Sequence, residues 1–402
     1  MKLLAIGSMR VFWLSLVSIA FFSSPVHPQR SAGMGVQSST EERIDTESWW
    51  PTKPNVALDK FAGSAACSRC HGDESTLQSP TSMQRAATAA SNATFLARGT
   101  SIKGLFPPLT YSLSSTAAGL QYSVADKSHK VTRDLDWVMG AGDLAHTFLY
   151  QSEGRWYQSK VSTYTALSTL DITPGLTSAK GADLARALGD SLTPDETRRC
   201  FSCHTVHSAS LSGFNPVRAE PGLGCEACHG PGFEHVDAME QSRSSDSKGN
   251  RASLAKDMHI FNPASLSPTD SIDFCGACHR TFVDVTLSMG QAMSTAIVRF
   301  QPYRLEESRC WQKTQSERLT CVACHDPHQR VNRDVFSYDK NCLGCHGKNE
   351  TGGAMQHASM VCPRATSHCV SCHMPKVAVE SMHGEFTDHL IRVVRAGDQF
   401  PR

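Results

Sequence analysis

Period-two alternation is the first regularity along this chain. Leu109, Tyr111 and Leu113 alternate with polar positions, Ala118-Gly119 supplies a turn, and Leu120, Tyr122 and Val124 alternate again, so a β-hairpin is expected here. A second hairpin is expected in HTFLYQSEGRWYQSKV, from His146 to Val161, turning at Glu153-Gly154, with TPGL at Thr173 to Leu176 closing it. From Thr193 to His389 the pattern changes to short helices and loops. Two helix starts are legible there, Thr193-Pro194-Asp195-Glu196 and Ser267-Pro268-Thr269-Asp270. Each sets a capping hydroxyl before a proline at the first helical position and an acid at the third. Near the N-terminus an apolar run from Val11 to Phe22 follows Lys2 and Arg10. Its length is short for a bilayer span and suits a signal-peptide core, with an uncleaved anchor as the alternative. Residues 34–60 are polar and read as a linker.

Cysteine and histidine change this picture. Cys-x-x-Cys followed at once by His occurs at Cys67, Cys70, His71; Cys200, Cys203, His204; Cys225, Cys228, His229; and Cys275, Cys278, His279. It recurs at Cys321, Cys324, His325; Cys342, Cys345, His346; and Cys369, Cys372, His373. These seven copies use fourteen of the 16 cysteines. A structural zinc site needs cysteine pairs but no histidine directly after the second. With histidine at about one position in twenty, seven such coincidences have odds on the order of one in a billion. The motifs therefore read as seven attachment sites for covalent haem c. On a helical turn, residues i, i+3 and i+4 share a face, so both sulfurs can bond one porphyrin while the imidazole takes its iron from the same side.

Composition agrees. Hydrophobic residues make up 40% of the chain and aromatic residues 7%, which is thin for protein cores at this length. Six motifs fall between Cys200 and His373, so packed porphyrins are expected to serve as the core there. The expected fold class is mainly α, with few short helices and much loop around a stacked haem core, and a β-rich insert between the first and second motifs. The expected divisions are a signal peptide or anchor at 1–33, a linker at 34–60, the first haem site with the β-rich insert at 61–192, and a six-haem cytochrome c domain at 193–402. The formal charge of +1 with no basic run gives no sign of nucleic-acid binding.

Seven of the 18 histidines are used by the motifs, and a surplus remains for sixth iron positions. His328 lies too close to His325 to reach the same iron and can reach a neighbouring one, and the same logic applies to His207 and His235. His146, His259 and His389 are further candidates, with His357 next, then His383, His368 and His129. For the first haem His146 is the expected ligand, because GAGDLAHTF opens the second hairpin and Gly140 and Gly142 let the backbone approach the porphyrin edge; Met83, His129 or an open iron are the alternatives. Cys310 and Cys362 stand outside the motifs; export to an oxidising compartment predicts a disulfide between them, with two free thiols as the alternative.

CEACHGPGFEH, MHIFNP before CGACH, LTCVACHDPHQ, HCVSCHMPKV and FTDHLIRVVR resemble the doubled-CxxCH multihaem cytochromes c, related to the tetrahaem cytochrome of ammonia oxidisers and the pentahaem nitrite reductases. The resemblance covers roughly residues 61–395. It implies stacked haem pairs, mostly bis-histidine iron with His235, His259, His328 and His389 as distal ligands, and electron transfer. One departure is that the catalytic motif of those reductases ends in Lys, whereas all seven here end in His. The expected function is an exported, periplasmic or extracellular relay between redox partner proteins. These would be a membrane quinol-linked donor and a reductase, another cytochrome or an external acceptor, and an uncleaved leader would add membrane association. The alternative is an oxidoreductase acting on a small nitrogen or sulfur compound at one open haem.

Overall fold

The computed structural model describes residues 57–93, 96, 101–103, 108–167, 169–176, 183–210, 213–244, 259–288, 295–347, 365, 367–395 and 397–398. All of these lie in one compact unit, Gln37–Arg402. The expected leader, nearly all of the linker, His357 and Cys362 fall outside the described residues.

The fold is not mainly α, which corrects the sequence expectation. Among the described residues eleven strands precede the second motif: β1 Ala87–Ala89, β2 Ser101–Lys103, β3 Thr110–Thr116, β4 Gly119–Ala125, β5 Lys130–Asp134, β6 Trp137–Met139, β7 Ala145–Ser152, β8 Arg155–Ser159, β9 Val161–Tyr164, β10 Thr169–Ile172 and β11 Gly189–Ser191. They form a seven-stranded sheet of order β1-β6-β7-β8-β11, with β9 pairing β7 and β10 pairing β9, and a four-stranded sheet of order β2-β3-β4-β5. All pairings are antiparallel. Nor is strand confined to the insert. Three ribbons lie among the motifs: β12 Thr205–Val206 with β15 Glu220–Pro221, β13 Ala209–Ser210 with β14 Gly213–Phe214, and β16 Lys376–Val379 with β17 Gly384–Thr387. Strands of two to four residues carry no readable period, which is why the pattern of this region suggests only helix and loop.

The alternating residues do form β3 and β4, where Leu113 opposes Tyr122 and Tyr111 opposes Val124. In the β7–β8 hairpin both turn residues have positive φ, 51° at Glu153 and 73° at Gly154, the twist that a two-residue hairpin needs. TPGL closes β10, two strands later than expected.

The principal core lies in the insert. Tyr111, Tyr122, Val124, Phe148, Tyr150, Val161 and Leu170 are buried together, with Ala187 and Leu188 from the helix Leu184–Leu188 against them. A second cluster, Ala87, Trp137, Met139 and Leu149, packs on Phe201 of the helix that carries the second motif. Beyond it the described buried clusters are small: Phe274 with Ala277, and Ile272 with Leu305 and Trp311. No helix among the described residues is long and apolar enough to cross a membrane.

Candidate functional site

Each motif closes on a helical turn. In the first, the amides of Cys70 and His71 both donate to the Cys67 carbonyl, at 3.1 and 2.9 Å. The second, fourth and sixth motifs end the helices Pro194–His204, Pro268–His279 and Asp339–His346. The third and seventh are the single turns Cys225–His229 and Cys369–His373, and the fifth is Cys321–Cys324 with His325 following. The expected caps form. Thr193 and Glu196 make a reciprocal capping box, and the Ser267 hydroxyl accepts from the Asp270 amide.

Contacts between motifs place these turns side by side. The turn Ser64–Ser68 of the first motif packs on Cys225–His229, Cys321–Cys324 on Pro268–His279, and Asp339–His346 on Cys369–His373, while the Cys203 thiol donates to the Ala277 carbonyl inside the fourth motif at 3.9 Å. Cys228 lies within electrostatic reach of Cys275, and Cys324 of Cys342. The first motif, remote in sequence, thus sits against the third. The buried Glu226 carboxylate fixes that junction, accepting the amides of Ala62, Gly63 and Gly232 at 2.9, 2.9 and 2.7 Å. The second motif is set by the insert. Phe201 stacks on Phe214 and meets Trp137 and Trp156 edge-on, and His204 Nδ1 lies 2.8 Å from the Ala86 carbonyl.

Two pairs of imidazoles face each other. His229 and His328 have ring centroids 6.2 Å apart at 8°, and His325 and His389 have centroids 6.2 Å apart at 45°. Two ring nitrogens about 2 Å from a shared metal, with about 1.1 Å more to each ring centre, give a separation of about 6 Å. Both pairs therefore fit axial ligation of one iron. Their other nitrogens are occupied: His229 Nδ1 by the Phe261 carbonyl at 3.0 Å, His328 Nδ1 by Asp326 at 3.4 Å, His325 Nδ1 by the Tyr338 hydroxyl at 3.4 Å, and His389 Nδ1 by the Thr387 carbonyl at 3.0 Å. Nε2 is left for the metal. His373 Nδ1 is held in the same way by the Arg392 carbonyl at 2.8 Å. Burial pulls the pKa of His204, His229, His279 and His325 down and takes His389 to about 4, favouring the neutral, ligating form. So His325 and His328, four positions from Cys321 and seven, serve different partners.

The remaining candidates divide. His207 and His259 adopt positive φ, 40° and 48°, an uncommon backbone for a side chain that is not glycine. His207 Nε2 lies 3.3 Å from Glu220, which also receives the Ser64 hydroxyl beside the first motif. His235 opens the helix Phe233–Ser244, which lies along the first motif through Lys60–Glu234, Arg69–Glu240 and Arg243–Cys70 contacts. His146 lies elsewhere, on β7, with Nε2 against Gly142 and Nδ1 3.3 Å from the Thr163 hydroxyl. Its neighbour Asp143 pairs with Arg85 and Arg330. Met83 is a backbone contact of Leu223. His383 Nε2 is 2.7 Å from Asp171, tying the β16–β17 ribbon to the insert, and His368 packs on Phe336. His129 is exposed beside Asp126. His71 and His346 are exposed, and no ring contact joins His71 to His146 or Met83 among the described residues. Cys310 is half-buried near Cys345, and Cys362 lies outside the described residues.

Sequence reasoning passed over Glu226, Asp339, Arg304 and Asp388, buried charged residues that bind backbone or one another across the motifs. Only a charge directly inside or beside a motif, as in CEACH and TDH, could have flagged two of them.

Helical Cys-x-x-Cys-His turns in mutual contact, with imidazoles opposed at the separation of two axial ligands, define a multihaem cytochrome c. The doubled CXXCH motif family matches residues 315–351, and the cytochrome c554 and c-prime family matches residues 154–230. By these matches the chain is similar to the doubled-CxxCH multihaem cytochromes. It is similar to multiheme cytochrome MtrA of Shewanella baltica (strain OS185), with 24% identity over 226 residues, 45% of this chain and 67% of that protein. Among solved structures, outer cell wall cytochrome OcwA aligns over 83% of this chain and 80% of its own length, with a TM-score of 0.46 and 13% identity.

Proposed function

We propose that the chain is an exported electron relay holding seven covalent c haems, mostly bis-histidine. It would stand between a membrane quinol-linked donor and a terminal reductase, another cytochrome or an external acceptor. The observation that carries this reading is the packing of attachment turns on one another, the first motif on the third, the fifth on the fourth and the sixth on the seventh, with the second reaching the fourth through Cys203 and Ala277. Haem supplies a one-electron change at iron, and two fixed axial ligands let that change occur without substrate binding. The chain fixes attachment, holds the His204, His229, His325 and His373 imidazoles by Nδ1 and keeps neighbouring sites adjacent. For the first iron the contacts of the Phe233–Ser244 helix favour His235 over His146 and Met83. We also infer a Cys310–Cys362 disulfide closing a loop around the fifth and sixth motifs, worth on the order of 4 kcal/mol in the chain-entropy picture.

Intact mass under denaturing conditions tests the inventory: seven haem additions and a loss of two hydrogens for the disulfide are expected. Electron paramagnetic resonance of the oxidised protein tests the relay, for which low-spin signals alone are expected. A high-spin haem in the wild type would move the assignment to an oxidoreductase acting on a small nitrogen or sulfur compound at that iron.

A further inference from the structure

One buried ion pair reaches two haem sites at once. Asp388 has no exposed surface, and Arg304, from the helix Gln301–Glu306, is 2% exposed. Arg304 grips Asp388 with both arms, Nε to Oδ1 at 2.8 Å and Nη2 to Oδ2 at 2.9 Å. Arg392 Nη1 completes the group at 2.5 Å from Oδ2 and also donates to the Leu390 carbonyl at 3.1 Å. The Asp388 Oδ1 atom accepts the Leu390 amide, and the Asp388 amide donates to the Pro375 carbonyl.

The segment so held carries a ligand interaction at each end. His389, whose ring opposes His325, is adjacent to Asp388, and its carbonyl accepts the Ser308 hydroxyl at 3.1 Å. The same hydroxyl accepts the Ile391 amide at 2.8 Å. Three residues past His389, the Arg392 carbonyl accepts from His373 Nδ1, and the Arg392 amide donates to the His373 carbonyl at 3.2 Å. Thus the backbone that aims the His389 ring and the carbonyl that orients the His373 ring lie in one short run with one buried charge centre.

We propose that Asp388 and Arg304 are positioning residues shared by the fifth and seventh haem sites, setting the axial imidazoles of both together. This rests on the reading of His389 and His373 as iron ligands. A ligand ring turned by a lost outer hydrogen bond changes its basicity and its orientation, and both alter the spectrum and potential of the iron it binds.

The test uses full-length, haem-loaded protein. Asp388→Asn is expected to keep all attached haems by mass, to shift two low-spin resonance signals, and to move two midpoint potentials together in spectroelectrochemical titration. Ser308→Ala, which removes the hydroxyl's contacts with His389, Ile391 and the Arg304 carbonyl but leaves the Arg304–Asp388 ion pair and the His373–Arg392 contact, is expected to shift one. Since breaking a buried pair can prevent folding, the double variant Arg304→Met with Asp388→Leu restores an apolar interior and is expected to show the same two shifts. His389→Ala tests the underlying reading separately: one haem should become high-spin. If His389→Ala yields no high-spin haem, the ligand assignment fails. If it does, while Asp388→Asn and the double variant leave every signal and potential where it was, the shared positioning role is wrong.

Discussion

Asp339 begins the helix that ends in the sixth motif, yet its carboxylate works for the seventh. It accepts the amides of His368 and Cys369 at 2.7 and 2.9 Å, satisfying the start of the turn Cys369–His373. Burial pushes its pKa up, but the Cys369 and His368 amides outweigh this and hold it below the ordinary 3.8. A depressed carboxylate adds stability that is fully present above the unfolded pKa and is lost as pH falls through the folded one. Asp339→Asn should therefore cost about 1–3 kcal/mol at neutral pH, as expected for hydrogen bonds to a charged group, and the difference should vanish in strong acid. Denaturant titrations of both proteins at the two pH values measure it, and an equal gap at both would contradict the assignment. The motif cysteines and histidines were legible because their chemistry is contiguous. Asp339 was not, because its partners lie 29 and 30 positions away, and Glu226 answers to amides 163 and 164 positions away. No local pattern encodes such contacts.

Among the elements, legibility followed length. β3 and β4, seven residues each, show alternation that the eye can follow, and the Thr193 and Ser267 caps follow from local chemistry. The two-residue strands β12 to β15 have no period to read, so the expectation of a mainly α fold missed them. Also missed was the docking of the second motif on the insert, because Phe201 meets Trp137 and Trp156 only in three dimensions. That seam is testable. Phe201→Ala removes a fully buried ring and should cost about 3–5 kcal/mol, with the visible spectrum of one haem altered while the haem count stays unchanged. Phe201→Leu should recover most of the loss. A cost near zero in chemical denaturation would mean that the helix Pro194–His204 is held by its haem alone and not by the sheet.

At the scale of the whole molecule, two kinds of interior share one chain. The insert buries a cluster of sixteen residues, including Tyr111, Tyr122, Phe148 and Leu170, enough to hold two sheets together. Between the third and seventh motifs the described clusters contain only two and three buried residues, Phe274 with Ala277 and Ile272 with Leu305 and Trp311. Ordering each residue costs about 1–2 kcal/mol of backbone entropy, which clusters of that size do not offset without the apolar mass of porphyrin between them. The thin aromatic content of the sequence already pointed this way, although it could not say which half was self-sufficient. The haem-free full-length chain should therefore be half folded. Expressed without haem attachment, it is expected to keep a strand signal in far-ultraviolet circular dichroism. Limited proteolysis should leave a fragment of roughly residues 87–192, the span of the insert sheets and core, and cut freely after the second motif; ordering without bound cofactor would exceed what so few buried side chains supply. Protection of the whole haem-free chain would show that the motif region has a protein core of its own and would overturn the account of porphyrin as its interior. Digestion of the insert as well would instead show that the seam at Phe201 and the loaded second motif are needed to hold the sheets.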